Sequence, residues 1–175
     1  MAVDRKEVAV AHIKEASRRW LYSGKHPNRV ASVLNRGQAV FAAAGIGPRR
    51  LAALEVRGRS TGRRISFPVV VADHEGQRYV VAMLGNEASW VRNVRAPGGN
   101  AVLQHGRREH VELEEVDPSA RAPILRRYLQ VAPGARAHFP VDPRASLEQF
   151  ERIAGQYPVF RVCAAAHPVG EESSS

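Results

Sequence analysis

Hydrophobic positions recur along the chain with two different spacings, and these divide it into helical and β-stranded parts. Apolar residues recur every three or four positions over residues 5–21, and again from Asn28 to Gly45, which predicts two amphipathic helices. Over residues 51–116 the apolar runs are shorter, and glycine-containing turns separate them. That pattern is typical of β-strands.

Six strands are predicted, five in the middle of the chain and one after the last helix. They cover residues 51–56, 65–72, 77–84, 101–103, 111–116 and 159–164. Short turns join several of them, which implies antiparallel pairing. Such a sheet must close on itself or be covered by helices to protect its edges. We therefore predict an α+β fold, an antiparallel barrel of about six strands with flanking helices.

A short helix is predicted between the two main hairpins. Asn86 could cap it, and the Pro97-Gly98-Gly99 sequence would stop it. One face of this helix then carries Trp90, Asn93 and Val94. A tryptophan beside an amide suits the binding of a flat ring with polar edges. The alternative is a core tryptophan beside an asparagine that holds loop backbone.

Two further helices are predicted before the last strand. Asp117, followed by a proline, begins the first, and its buried face includes Tyr128. Ser146 caps the second, whose apolar stripe is Leu147, Phe150 and Ile153. The predicted domains are a helical extension over residues 1–26, the barrel over 27–164 and a disordered tail over 165–175. The extension is expected to cover the barrel or a pocket mouth, although its basic residues and Trp20 would also suit a membrane surface.

Length and composition predict one globular domain. The chain has 175 residues, 44% of them hydrophobic and 25% charged, with a net charge of +9. Such a surface attracts polyanions. The single cysteine, Cys163, excludes an internal disulfide and favours a reducing, cytoplasmic location. No apolar run approaches the ~20 residues of a membrane span, and the charged first residues do not resemble a signal peptide.

The most unusual stretch is the turn between the first two strands, residues 57–64, called the basic turn below. It holds four arginines, two glycines and two hydroxyl residues. Gly58 and Gly62 could take positive φ and direct backbone N–H groups inward, while the arginines match phosphate or carboxylate oxygens. We therefore predict an anion-binding site, the alternative being a solvated turn on a basic protein.

Common catalytic signatures are missing from the sequence. It has no zinc-ligand spacing, so no metal is predicted, and neither a nucleophile elbow nor a phosphate-binding Walker loop. Chemistry without such groups usually belongs to a bound cofactor. No catalytic residue is assigned, although Ser89 and His138 are candidate proton donors.

Several motifs occur in an order that resembles one known family. They are Gly58-Arg59-Ser60-Thr61-Gly62 with Pro68, Tyr79-Val80-Val81-Ala82, Gly85, Trp90-Val91-Arg92-Asn93 and Pro158-Val159-Phe160-Arg161-Val162. This set resembles the deazaflavin (coenzyme F-420)-dependent nitroreductases, also called quinone reductases. The resemblance implies a flavin-reductase-like split β-barrel. It also implies F-420, an 8-hydroxy-5-deazaflavin with a phosphate and an oligoglutamate tail, as cofactor.

The resemblance also implies which residues bind the coenzyme. They are Arg59, Ser60 and Thr61 at the phosphate end, Ala82, Met83, Leu84 and Gly85 along the coenzyme, and Trp90, Val91, Arg92, Asn93 and Val94 beside the ring. Three features depart from the family. Ile65 stands where an arginine is frequent, Ser60 where many members have a basic residue, and Ala132, Ala135 and His138 occupy a loop that carries tyrosines in one branch.

The implied activity is hydride transfer from reduced F-420 to an electron-poor acceptor such as a quinone, enone, imine or nitro compound. Two alternatives stay open, a non-catalytic module that binds anions or lipids, and a barrel that binds flavin mononucleotide. Aromatic residues make up only 6% of the chain, and none lies in the basic turn, which argues against a nucleic-acid partner. The expected partner is a small-molecule acceptor, and both a homodimer and peripheral membrane contact are compatible with the sequence.

Overall fold

The computed structural model describes residues 50–96 and 100–165. The two predicted N-terminal helices, the extension over residues 1–26, the start of the domain at residue 27, the Pro97-Gly98-Gly99 stop and the tail from residue 166 lie outside these residues.

The six strands form a closed barrel in the order β1-β2-β3-β6-β5-β4, and every pair is antiparallel. They are β1 (Leu51–Arg57), β2 (Arg64–His74), β3 (Gln77–Val81), β4 (Asn100–His105), β5 (Arg107–Glu115) and β6 (Val159–Ala164). The predicted fold class is confirmed. Strand β3 ends at Val81 rather than at the predicted Leu84 because the Gly85 N–H donates to the Ala82 carbonyl at 2.9 Å, which turns the chain.

Two short turns fix the register of the hairpins. Glu75 and Gly76, with φ of 48° and 74°, join β2 to β3 in the manner of a primed turn. Gly106 alone lies between β4 and β5. Because a slip of one residue would turn the buried side chains outward, these turns keep the apolar face of each strand in the core.

Within residues 50–96 and 100–165, three helices and three 3₁₀ segments accompany the barrel. The helices are α1 (Ser89–Val94), α2 (Arg121–Val131) and α3 (Leu147–Ile153), and the 3₁₀ segments are Pro118–Ala120, Pro133–His138 and Ala154–Gln156. Asp117 Oδ1 accepts from the Ser119 N–H at 2.9 Å, so the predicted cap precedes a 3₁₀ turn that leads into α2. The Ser146 N–H donates to Gln149 Oε1 at 3.3 Å at the start of α3. None of the described helices is long and apolar enough to cross a membrane.

The hydrophobic core has two parts. One fills the barrel and includes Leu54, Val111 and Phe160, and it also buries one face of α1. The other joins α2 and α3 to β2 and β3, and includes Tyr128, whose burial raises the pKa of its hydroxyl to about 12. Leu147, predicted to belong to the stripe of α3, is instead 38% exposed, because the helix packs through Phe150 and Ile153.

Candidate functional site

The basic turn is tighter than its sequence suggested. The Gly58 N–H donates to the Arg63 carbonyl and the Gly62 N–H to the Gly58 carbonyl, both at 2.8 Å. Only Gly62 has a positive φ, 63°. The prediction of positive φ at Gly58 is wrong. A glycine suits this position for another reason, because the Thr61 side chain packs closely against it. A Cβ there would lie 3.1 Å from Thr61 Oγ1.

Four backbone N–H groups of the turn are already bonded within the protein. Besides the two glycines, the Arg59 N–H donates to Asn93 Oδ1 and the Arg63 N–H to Thr61 Oγ1, each at 3.3 Å. The predicted cradle of inward N–H donors is therefore wrong at these four positions, because three of these amides bond within the turn and the Arg59 amide bonds Asn93. Its anion-binding capacity lies in the side chains.

The arginines of the basic turn are exposed and largely unpaired. Arg64 Nη1 lies 3.5 Å from Glu55 Oε1, on the side of β2 opposite Ile65, which pairs with the buried Val56. Within residues 50–96 and 100–165, no carboxylate forms an ion pair with Arg57, Arg59 or Arg63. Three cations on one turn thus remain available to an anionic ligand.

Helix α1 docks beside this turn. Asn93 Oδ1 accepts from both the backbone N–H and Nη1 of Arg59, each at 3.3 Å. Trp90 is half-buried, with its ring centroid 5.7 Å from that of Phe67 and 5.3 Å from that of Phe160. Both residues therefore have a structural role as core tryptophan and backbone-holding asparagine, as the alternative interpretation held.

The other predicted residues of α1 divide between core and surface. Val91 and Val94 are buried in the barrel core, so their side chains are committed to packing. Arg92 is exposed, and its Nη2 donates to the Glu87 carbonyl at 3.3 Å. The predicted cap at Asn86 is wrong, because the helix begins after Ala88 and the Asn86 amide donates instead to the Gly155 carbonyl at 3.0 Å.

A groove of about 350 Å³ lies where β3 ends. Met83, Leu84 and Gly85 form one side, and His138, Gln156 and Tyr157 complete it. Ala82, the fourth predicted residue of this segment, is buried in the barrel core rather than in the groove. The two sides approach closely at Gly85, which has a φ of 80° and where a Cβ would lie 3.2 Å from the Gln156 carbonyl oxygen.

Tyr157 organises the far side of the groove. Its hydroxyl donates to the His138 carbonyl at 2.8 Å, and its ring stacks on Phe139 at a centroid distance of 4.0 Å. Burial raises the pKa of the Tyr157 hydroxyl, which keeps it protonated at neutral pH. Of the two candidate proton donors, His138 lines the groove, whereas Ser89 is an exposed residue at the start of α1.

Sequence reasoning missed Gln156 and Tyr157. A signal was present, because Tyr157 immediately precedes the Pro158-to-Val162 motif. A second cavity, of about 660 Å³, lies at another part of the barrel, and none of the predicted site residues lines it. Within the described part of the chain, no three His, Cys, Asp or Glu side chains are grouped to hold a metal ion.

Comparison with known proteins identifies the family. Residues 34–138, more than half of the chain, match the F420H(2)-dependent quinone reductase family. The chain belongs to this family. It is accordingly an F-420-dependent reductase, which confirms the predicted enzyme class and cofactor and disfavours the non-catalytic and flavin mononucleotide alternatives.

Solved structures also resemble this member of the family, at low identity. One, described as a domain-swapped dimer, is 15% identical with a TM-score of 0.47, and the match covers 88% of this chain and 98% of that chain. An F420-H2 dependent reductase, FDR-A, is 17% identical with a TM-score of 0.46, covering 65% and 94%. An F420 reductase is 13% identical with a TM-score of 0.42, covering 74% and 94%. No curated protein matches the sequence.

The residues present in this reductase fit the coenzyme of the family. The phosphate and oligoglutamate tail of F-420 are anionic, and Arg57, Arg59 and Arg63 offer exposed guanidinium groups without carboxylate partners in the part of the chain that is described.

Proposed function

We propose that this reductase delivers a hydride to an electron-poor organic acceptor, such as a quinone, enone, imine or nitro compound, bound in the groove beside Tyr157. The observation that carries the proposal is the composition of the groove. One side is Met83 to Gly85, the segment that the resemblance assigns to the coenzyme. The other side is formed by His138, Gln156 and Tyr157, which come from a later part of the chain. An acceptor in the groove would therefore lie against the coenzyme.

The coenzyme tail is proposed to lie along the basic turn. Arg59, Ser60 and Thr61 would hold its phosphate end, and Arg57 and Arg63 would add attraction for the carboxylates. All five side chains belong to exposed residues. Since the backbone N–H groups of Arg59 and Arg63 are bonded internally, the guanidinium groups and hydroxyls supply the contacts.

The ring end is proposed to lie between the loop that follows β3 and the start of α1. Ala82, Met83, Leu84 and Gly85 would border it on one side, and Trp90, Val91, Arg92, Asn93 and Val94 on the other. Val91, Val94 and Ala82 are buried, so they would act by shaping the backbone, while Trp90 and Asn93 hold α1 against the barrel and the turn.

When bound, the reduced deazaflavin would supply a hydride, that is, one proton with two electrons, and the acceptor also takes up a separate proton to complete its two-electron reduction. His138 is the candidate donor that lines the groove, and solvent is the other source. The Tyr157 hydroxyl serves the His138 backbone instead, because it donates to that carbonyl. We propose that Tyr157 holds the His138 segment in place and takes no part in proton transfer.

The cysteine content of the enzyme bears on its location in the cell. A reducing, cytoplasmic location is proposed from the single cysteine, which is a free thiol on β6. A homodimer and peripheral membrane contact stay predictions, and the second depends on residues 1–21, which lie outside the described residues.

The test is a pair of binding titrations followed by an acceptor screen. We expect F-420 to quench or shift protein fluorescence at micromolar concentrations, and flavin mononucleotide to bind at least about tenfold more weakly. A quinone, an enone, an imine and a nitroarene are then each mixed with reduced F-420 and enzyme, and coenzyme oxidation is followed. If F-420 fails to bind at micromolar concentrations, the proposal falls. If it binds but none of the four acceptors is reduced, the assigned acceptor class is wrong.

A further inference from the structure

A closed circuit of hydrogen bonds lies behind the groove. Its side chains are Asn86, Arg95, Glu115 and Arg121, and it closes through backbone carbonyls of residues 154–157. We call these four side chains the Arg121 ring. None of them lines the groove, but Gly85, which precedes Asn86, and Gln156, whose carbonyl the Asn86 amide reaches, do.

Arg121 anchors the ring. Its side chain is 4% exposed, and it is the one buried charged residue among those described. Nε donates to the Val116 carbonyl at 2.8 Å, and Nη1 donates to the Ala154 and Tyr157 carbonyls at 3.2 and 3.4 Å. A buried guanidinium requires such complete bonding, so the backbone of residues 154–157 is held where these donors point.

Glu115 connects Arg121 to Arg95, and so to the loop that follows β3. Its Oε1 accepts from Arg121 Nη2 at 2.9 Å and from Arg95 Nη2 at 2.7 Å, and its Oε2 accepts from Arg95 Nε at 2.8 Å. The hydrogen bonds from Arg95 are the main cause that lowers the pKa of the Glu115 carboxyl, so it stays ionised at neutral pH.

Asn86 closes the circuit. Its Oδ1 accepts from Arg95 Nη2 at 2.8 Å, while its Nδ2 donates to the Gly155 and Gln156 carbonyls at 3.0 and 3.4 Å. One amide therefore joins the loop after β3 to the segment before β6. The neighbouring Gly85 packs closely against the Gln156 carbonyl, where an added Cβ would lie 3.2 Å from the oxygen. Both sides of the groove are therefore held together at this contact.

We infer that Asn86, through the Arg121 ring, is a positioning residue that fixes the separation of the two sides of the acceptor groove. This inference deepens the proposed function and rests on it for the identity of the groove. Loss of the amide removes the direct link between residues 85–86 and 155–156, while Arg121 and Glu115 keep each other bonded. The groove then loosens, and acceptors fit it less well.

The experiment compares Asn86→Ala and Asn86→Asp with Glu109→Gln in the full chain. Asn86→Asp retains an acceptor for Arg95 but loses the donor and places a carboxylate beside the two carbonyls, so it breaks the link to residues 155–156 while Arg95 stays bonded. Glu109→Gln is the matched control, because Glu109 and Arg78 form a two-point pair with N–O distances of 2.5 and 2.8 Å that does not touch the groove. Hydrogen exchange over residues 83–88 and 154–158 is measured first, without coenzyme.

Both Asn86 variants are expected to exchange faster in these two segments, and Glu109→Gln is not. With coenzyme present, the acceptor KM rises about two- to tenfold, the effect of one lost hydrogen bond, and F-420 affinity falls by no more than that, because Met83 to Gly85 also border the proposed coenzyme site, while kcat changes by less than about twofold. Unchanged exchange in both Asn86 variants overturns the inference, as does a fall in kcat at constant KM. If the Asn86 variants exchange faster but the wild-type protein never oxidises reduced F-420, the positioning role of Asn86 stands and the proposed function is rejected instead.

Discussion

The basic turn and the Arg121 ring both concentrate arginine, but they use it in opposite ways. In the ring, Arg121 and Arg95 share the Glu115 carboxylate, and Arg121 also binds backbone carbonyls. In the turn, and among the described residues alone, Arg59 has only the neutral Asn93 oxygen as a side-chain partner, and Arg57 and Arg63 have no carboxylate partner. The ring uses arginine to join segments, and the turn keeps arginine available to a ligand.

The difference follows from burial. A guanidinium removed from water must have its donors satisfied, since an unpaired buried charge is strongly unfavourable. An exposed guanidinium stays hydrated without a partner and contributes little to stability. Net charge alone therefore does not locate a binding site in an arginine-rich protein, and the proposal for the basic turn rests on three exposed arginines without carboxylate partners grouped within seven residues.

The largest expected effect comes from breaking the ring at its centre. Arg121→Ala leaves Glu115 with only Arg95 and frees the carbonyls of Val116, Ala154 and Tyr157, so at about 1–3 kcal/mol for each carbonyl left unpaired it should lower the free energy of unfolding by about 3–5 kcal/mol. Urea denaturation measures this. The control is Arg152→Ala, which removes an exposed i,i+4 pair with Glu148 and should have little effect. Equal losses in the two variants would abolish the distinction between ring and surface arginines.

An intermediate effect is expected at the basic turn. Arg59→Ala removes a charge-assisted contact worth about 1.5–3 kcal/mol, so F-420 affinity should fall roughly ten- to a hundredfold. The loss should be greater at low salt, where attraction of the tail is least screened. The unfolding free energy should barely change, because Arg59 is exposed. Fluorescence titration at two ionic strengths tests this, with Arg152→Ala as the control, and an unaltered affinity would remove Arg59 from the site.

The smallest expected effect is a gain. Ile65 is 44% exposed and lies on the strand face that also carries Phe67. If that face borders the tail, Ile65→Arg adds one cation beside it, and F-420 should bind about two- to tenfold more tightly. Ser66→Arg places the same charge on the other face, next to Glu55, and should leave binding unchanged. Tighter binding in both variants would indicate general electrostatic attraction rather than a defined face.

The fold was predictable because local signals agree with the barrel. Glu75-Gly76 and Gly106 mark turns in the sequence itself, and alternating residues such as Val111 and Leu113 show which face is buried. Strand β6 was predicted at its observed bounds for the same reason. Strand β3 was overextended, because its end is set by one hydrogen bond to Ala82 that apolar residues do not reveal.

The site was predictable only where its residues are close in sequence. The basic turn and the loop after β3 were found, but Asn86 was predicted to cap α1 and instead reaches carbonyls 69 and 70 residues away. Tyr157 enters the groove through similarly distant packing. No local pattern specifies such contacts, because they depend on how the closed barrel positions β3 against the segment before β6. The prediction of anion-binding N–H groups was wrong for a related reason, because three of these amides bond within the tight turn and the fourth bonds the distant Asn93.

The order of the strands has a consequence for how the chain acquires its structure. Strand β6 lies between β3 and β5, and it is the last of the six to leave the ribosome. Until it does, the neighbouring edges of β3 and β5 have no partner, although the other four pairings can form from local hairpins and β1–β4 contact. An unpaired edge can recruit a strand from another molecule. The nascent protein is thus most exposed to aggregation just before its barrel closes, and a chaperone that shields those two edges would act at that moment.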